Sequence, residues 1–338
     1  MKVLYAIQGT GNGHVSRAIE VIPHLKKMAE VDIFLSGKNS NLQLPFEVKY
    51  CSKGLSFEYN NQGGLSYLKS IMALQPYRIM KEIRDFPAEE YDLIISDFEC
   101  ISAYAARRKG IPVMAFSHQV ALLSEFVPKP AGLNIMGEII LDLYSPAKYA
   151  VGLHFKEYDD YIFTPIIRQD IRKLNPTKND YYTVYLPACG DDQLLKLLTQ
   201  IPDTRWEVFS RSCTTIRIER NITIRPIQNE AFINSLENCT GILTGAGFET
   251  PAEALFLNKK VFAIPIKGQF EQLCNAVALE SLGVSVAYKF DDTLVSKIRQ
   301  WIIEDLTIPV HFPNITEQLI EQMLFSKQSF FLPTLAVG

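Results

Sequence analysis

No run of 18 uncharged apolar residues occurs in the chain, so nothing in it reads as a membrane-spanning helix. The opening MKVLYAI offers one lysine and too short an apolar core for a signal peptide. Cysteines are few and solitary (Cys51, Cys100, Cys189, Cys213, Cys239, Cys274), with no CxxC pair and no Cys/His cluster, which speaks against a disulfide frame or a zinc site. These absences together point to a reduced, cytoplasmic protein. Long Lys/Arg runs are missing too, and the formal net charge is −3, which argues against a general nucleic-acid binder, whose phosphate contacts need a basic face. Low-complexity tracts and short-period repeats are lacking, so nothing suggests disorder or a solenoid. No aspartate pair stands in a convincing metal-binding loop, so no metal and no separate cofactor are expected.

What is present is an alternation of strands and helices. At 338 residues the chain exceeds one typical core of about 100 to 200 residues, so two domains are expected. Apolar runs at 2–7, 31–36, 46–50, 91–96 and 111–116 read as strands, with helical patterns at 14–29, 64–85 and 101–110. A polar, Pro-marked stretch, FTPIIRQDIRKLNPTKND at 163–180, interrupts the series. It then restarts with strands near 182–187, 205–210, 221–225, 240–244 and 260–264. The expected fold is α/β, two Rossmann-like domains (1–164 and 165–338) whose parallel sheets face each other across a cleft. A helix at 315–325 is expected to pack back on the first domain. In sheets of order 3-2-1-4-5 ligands sit beyond the ends of the first and fourth strands. Those ends carry QGTGNGH and SDFE in the first domain, LPACGDD and TGAGFE in the second.

The opening YAIQGTGNGHVSRA invites a dinucleotide reading, but GxGxxG would need glycine where His14 stands, and the second strand lacks an acidic end. A tight turn with His14 as a helix cap is a simpler alternative. A histidine at a helix N-terminus is kept neutral by the helix dipole and so is competent as a base, and Asp97 after the adjacent strand would orient it. His118 in FSHQ is a weaker candidate, of a type more often structural. In TGAGFETPAEALFLNKKVFAIPIKGQFEQLCNA, residues 244–276, Gly245 and Gly247 open a helix whose free N–H groups suit phosphate. Glu253 within that helix suits a ribose diol, and Glu271 with Gln272 suit sugar hydroxyls. The plain alternative is loop punctuation with surface acids.

The run from Gly245 to Ala276 resembles the donor region of nucleotide-sugar glycosyltransferases of the GT-B fold, especially the branch containing the lipid-intermediate N-acetylglucosaminyltransferase of peptidoglycan synthesis. GTGNGHVSRA is similar to that branch's first loop. The resemblance implies that Gly245, Ala246, Gly247 and Phe248 meet the diphosphate, Glu253 the ribose, and Glu271 with Gln272 the transferred sugar. It further implies that Ile227 contacts the base through backbone and that Arg168 approaches the donor. Gly11, Gly13 and His118 then fall on the acceptor side, with His14 and Asp97 catalytic. One departure is LPACGDD, where Asp191 and Asp192 oppose a diphosphate unless they point away.

The function so implied is metal-independent, inverting transfer from a nucleotide diphosphate sugar, a UDP-sugar, to a hydroxyl of a sugar, lipid-linked or small-molecule acceptor. The rivals are a nucleotide-sugar epimerase and a non-catalytic nucleotide-sugar-binding protein. The stretch 67–86, which mixes apolar with basic residues, and the strongly apolar 130–144 are candidates for peripheral contact with the inner face of a membrane, or for ordinary core-facing helices.

Overall fold

The computed structural model describes residues 1–37, 44–54, 75–131, 137, 141 and 143–326. The first sheet is built from β1 (Lys2–Gln8), β2 (Glu30–Ser36), β3 (Tyr50–Ser52), β4 (Leu93–Asp97), β5 (Val113–Ser117), β6 (Tyr149–Leu153) and β7 (Ile162–Phe163). Its spatial order is β3-β2-β1-β4-β5-β6-β7, parallel throughout. The second contains β8 (Asn179–Tyr185), β9 (Trp206–Ser210), β10 (Arg217–Glu219), β11 (Ile222–Pro226), β12 (Cys239–Gly245), β13 (Lys260–Ile264) and β14 (Ser285–Val286). Here the order is β10-β11-β9-β8-β12-β13-β14, with only β10 antiparallel to its neighbour. Helices follow the strands: α1 (Asn12–Met28), α2 (Pro76–Asp85), α3 (Cys100–Lys109), α4 (His118–Ala121), α5 (Gln169–Arg172), α6 (Asp191–Leu198), α7 (Asn229–Asn238), α8 (Glu249–Phe256), α9 (Phe270–Ser281), α10 (Leu294–Ile303) and α11 (Thr316–Phe325).

Central strands of such sheets are covered on both faces and read as unbroken apolar runs rather than alternating ones. Every residue of β1 after Lys2 is buried, as are all of β4, β5 and β13. In register, Ile7 of β1 pairs with Asp97 of β4, so the Gly-rich loop and the aspartate leave the sheet side by side. The chain turns from β1 into α1 through Gly11, whose φ of +95° is strained for a residue with a Cβ. One hydrophobic core holds side chains from both sheets and the helices that cover them, among them Tyr5 and Ile242 from the strands and Ile22 and Leu255 from α1 and α8.

The expected strand at 46–50 is displaced to Tyr50–Ser52: Phe46 and Val48 pack their side chains on the core, while ladder bonding starts only with Lys49 N donating to Ile33 O at 3.0 Å. Of the helix expected at 64–85, α2 begins at Pro76, which suits the first helical position because it has no N–H to leave unpaired. Residues 64–74 of it, most of the 130–144 stretch and the tail after 326 lie outside the described residues. The five-residue β6 and the short β7, β10 and β14 were not anticipated from the sequence. No helix among the described residues is long and apolar enough to cross a membrane.

The first sheet closes at Phe163 and the second opens at Asn179. Between them Gln169 N donates to Glu20 Oε2 at 2.9 Å. Helix α11 returns to α1, where Leu319, Ile320 and Met323 join the same core as Val21, Ile22 and Leu25. Ile320→Ala removes a fully buried side chain and is expected to cost about 2 to 5 kcal/mol through lost burial and a cavity, read by urea unfolding. A loss under about 1 kcal/mol would show that α11 is not part of the cooperative core.

Candidate active site

Loops at the C-terminal ends of both sheets line one cleft of about 790 Å³. His14 lies in the first turn of α1, where its Nδ1 is 2.7 Å from Asp97 Oδ1. Arg17 Nη2 lies 3.0 Å from the same nitrogen, but the shorter contact is to the carboxylate, which can only accept, so in the neutral ring it favours the tautomer with the proton on Nδ1 and the lone pair on Nε2. Asp97 is fully buried at the end of β4 and every lone-pair direction is engaged: Arg17 donates from Nη2 (2.6 Å) and Nε (3.1 Å), and the Tyr5 hydroxyl at 3.3 Å. Burial pulls the Asp97 carboxyl up, but Arg17 and His14 outweigh it and hold it below the ordinary aspartate range.

Arg17 also crosses the cleft. Its Nη1 donates to Glu249 Oε1, the first residue of α8 in the second sheet's layer. Burial pushes Glu249 up to about 7 against the pull of Arg17, and the nearby Glu253 and Asp97 carboxylates add to the rise. The walls are in close contact there: a Cβ on Gly13 would come within 3.2 Å of Glu249 Cγ.

On the second sheet's wall, Gly247 and Glu249 border the cleft at the N-terminus of α8, while Ala246 is fully buried and its carbonyl accepts from Asn275 Nδ2 at 3.1 Å. Glu253, expected to be open to a ribose, is instead held by Arg168 in a two-bond fork, Nε to Oε1 at 2.7 Å and Nη2 to Oε2 at 3.0 Å. The two residues assigned separately to the donor are thus one unit, with only the remaining lone pairs of Glu253 to offer. Gln272 spends its Oε1 on the backbone N–H of Ile266 at 2.9 Å, which leaves the amide N–H groups for a ligand. Ile227 lines the cleft just beyond β11. Asp191 does point away: it accepts from Ser212 Oγ at 2.7 Å, from Arg217 Nη2 at 2.9 Å and from Ser210 Oγ.

His118 is 1 % exposed, at the back of the cleft rather than open to it. Its Nδ1 donates to Leu153 O at 2.8 Å, its Nε2 lies 2.6 Å from Asn275 Oδ1, and its ring stacks on Phe248 at 4.1 Å between centroids. Burial pushes its pKa down. Its visible work is to join β5 to α9.

Sequence reasoning missed Arg17, Glu249, Gln119 and Arg211, all of which line the cleft. Arg17 lies three residues after His14, one turn on along the same helix face, so the spacing places both side chains on one side. That signal alone does not tell a buried guanidinium from a solvated one.

The family model for glycosyl transferase family 1 matches residues 1–304. The chain belongs to that family. It is 21 % identical over 348 residues to an uncharacterized glycosyltransferase of Methanosarcina mazei, with 90 % of each chain covered. Arabidopsis thaliana UGT89C1 shares the fold at 14 % identity: the complex with quercetin gives a TM-score of 0.59, covering 96 % of this chain and 94 % of that one, and the complex with UDP gives 0.56. Acinetobacter baumannii MurG gives 0.53 at 13 % identity, covering 97 % and 99 %. The glycosyltransferase is therefore an enzyme of GT-B fold, two parallel-dominated sheets with the cleft between them.

Two measurements probe the site's charges. Arg17→Met strands Asp97 and Glu249 without their cation and is expected to cost about 3 to 5 kcal/mol in urea unfolding. Because the folded Glu249 pKa lies above its unfolded value, its contribution is full below about 4.3 and is lost as pH rises towards about 7. Wild-type stability should fall relative to Glu249→Gln across that window, and parallel curves would show that Glu249 titrates normally.

Proposed function

We propose that the protein transfers a sugar from a UDP-sugar to an acceptor hydroxyl with inversion and without a metal ion. One observation carries the reading: the 2.7 Å pairing of His14 Nδ1 with buried Asp97 leaves a basic Nε2 in a cleft whose opposite wall is the N-terminus of α8. In the step, the acceptor hydroxyl gives its proton to His14 Nε2 as its oxygen bonds the anomeric carbon. The bond from that carbon to the phosphate oxygen breaks, and the nucleoside diphosphate leaves with the electron pair. Asp97 stabilises the imidazolium so formed, as orienting carboxylates do in other base-assisted sites.

Charge on the leaving group needs a counterweight. Of the three arginines lining the cleft among the described residues, Arg17 and Arg168 are committed to carboxylates, whereas Arg211 after β9 has no ion pair. With the N–H groups opening α8, Arg211 is assigned to the diphosphate. That UGT89C1 has been solved with UDP and with quercetin supports a UDP donor and a separate acceptor in this cleft. For a lipid-linked acceptor, α2 supplies a membrane-facing surface, with Tyr77 and Met80 82 % and 69 % exposed next to Lys81.

Thermal unfolding with UDP, GDP, TDP, their sugar conjugates and NAD names the donor: a ligand at a hundred times its Kd adds about 2.7 kcal/mol to stability. A shift with NAD alone would overturn the reading, as would release of an epimerised nucleotide sugar without acceptor. His14→Ala is expected to lower transfer by about 100-fold to 10,000-fold while UDP binding is unchanged. Arg211→Ala should weaken UDP about 10-fold and leave uridine binding as it was, by calorimetry.

A further inference from the structure

Gln119 stands where the proposed base and the proposed sugar site meet. It is 5 % exposed, in the short helix α4, and its Nε2 donates to Glu271 Oε2 at 3.1 Å on the opposite wall. A carboxylate acceptor fixes the amide's orientation, with nitrogen towards Glu271. The same Nε2 is 3.4 Å from His14 Nε2. An NH₂ group has two hydrogens, and in the tautomer whose Nδ1–H donates to Asp97 the His14 Nε2 carries the lone pair. One amide group therefore holds the sugar-site carboxylate with one hydrogen and covers the base's lone pair with the other. Its Oε1 is buried and has no hydrogen-bond partner among the described residues.

The backbone beneath is held firmly. His118 bonds Asn275, while Gln119 bonds Glu271, and these two partners lie one turn apart on α9. Ser117 Oγ accepts from Val120 N at 3.2 Å and caps α4. Only the Gln119 amide is left to exchange partners.

We propose that Gln119 is a positioning residue that couples occupancy of the donor-sugar site to release of the base, an inference that rests on the transferase reading. With the sugar site empty, the amide is anchored on Glu271 and covers His14 Nε2. A sugar hydroxyl donating to Glu271 competes for the same carboxylate, and the amide loses its charged anchor. It turns, Oε1 takes a hydrogen from a substrate hydroxyl, and His14 Nε2 is opened to the acceptor. The consequence is an order of events in which the base is uncovered only after the sugar has arrived, which limits activation of stray water.

The test is a histidine side-chain ¹H–¹⁵N correlation spectrum of the full chain with UDP, UDP-glucose, UDP-galactose and UDP-N-acetylglucosamine, with binding followed in parallel by calorimetry. In the wild type, the His14 Nε2 signal should move with a UDP-sugar that binds and stay in place with UDP alone. In Gln119→Leu the free-protein signal should already lie near the sugar-bound position, and the sugar-specific movement should vanish while UDP affinity is retained. Gln119→Asn, one methylene shorter and unable to reach both partners, should behave like the leucine variant and keeps the test open if leucine does not fold. Binding of a UDP-sugar with no sugar-specific movement of Nε2 in the wild type would overturn the coupling and leave the transferase reading intact. No binding of any nucleotide would overturn both.

Discussion

The guanidinium of Arg17 is the constraint on which the cleft depends. It is almost wholly buried, and it reaches Asp97 on its own sheet and Glu249 on the other. Desolvating three charged groups is costly, and the cost is met only when all three meet in one geometry. The fork that Arg17 makes with Asp97 also fixes that carboxylate against rotation, so the oxygen facing His14 cannot swing away. One cation therefore supports Asp97, through it the orientation of His14, and ties the wall that bears them to the first residue of α8.

That arrangement follows from strand ends. Parallel sheets bring every C-terminal strand end to one edge, and residues with chemistry gather there because the strands themselves are sealed on both faces. The register that pairs Ile7 with Asp97 puts the start of α1 beside the aspartate without any long loop. In the second sheet, Gly245 pairs with Ile264, so the loops leading to α8 and α9 leave the sheet together. Glu249 and Glu271 thus reach the cleft from neighbouring helix starts, although 22 residues of chain separate them by number.

The alternation of elements and the central strand order were legible because buried parallel strands leave unbroken apolar runs between glycine-marked turns. The Gly-rich loops, His14 and Asp97 were legible for a related reason: they occupy strand ends, which sequence can locate. Partnership was not legible. Nothing in the spelling of SRA or TGAGFE says that Arg17 meets Glu249 some 230 positions on, or that Arg168 and Glu253 take up one another's hydrogen bonds, since such pairs depend on how two separately folded sheets sit together. The short β7, β10 and β14 were hidden because two or three residues carry no period, and they exist only as additions to an edge already formed.

The cleft's many carboxylates pose a problem for the proposed diphosphate site that the pairings reduce. Glu253 is neutralised by Arg168 and Asp191 by Arg217, both through hydrogen bonds that point the acids away from open space. Asp97 and Glu249 share Arg17, which balances only one of them, and the imbalance falls on Glu249, whose carboxyl is the one pushed up to about 7. Near neutrality it is therefore partly protonated and adds less than a full negative charge at the mouth of α8. Glu271 meets only the neutral Gln119 amide among the described residues, while the N–H groups at the start of that helix and the Arg211 guanidinium face the same cleft without a carboxylate partner among the described residues. A chain with a net formal charge of −3 can in this way leave N–H groups and one guanidinium open to an anion, because most of its cleft acids have been spent on holding the walls together.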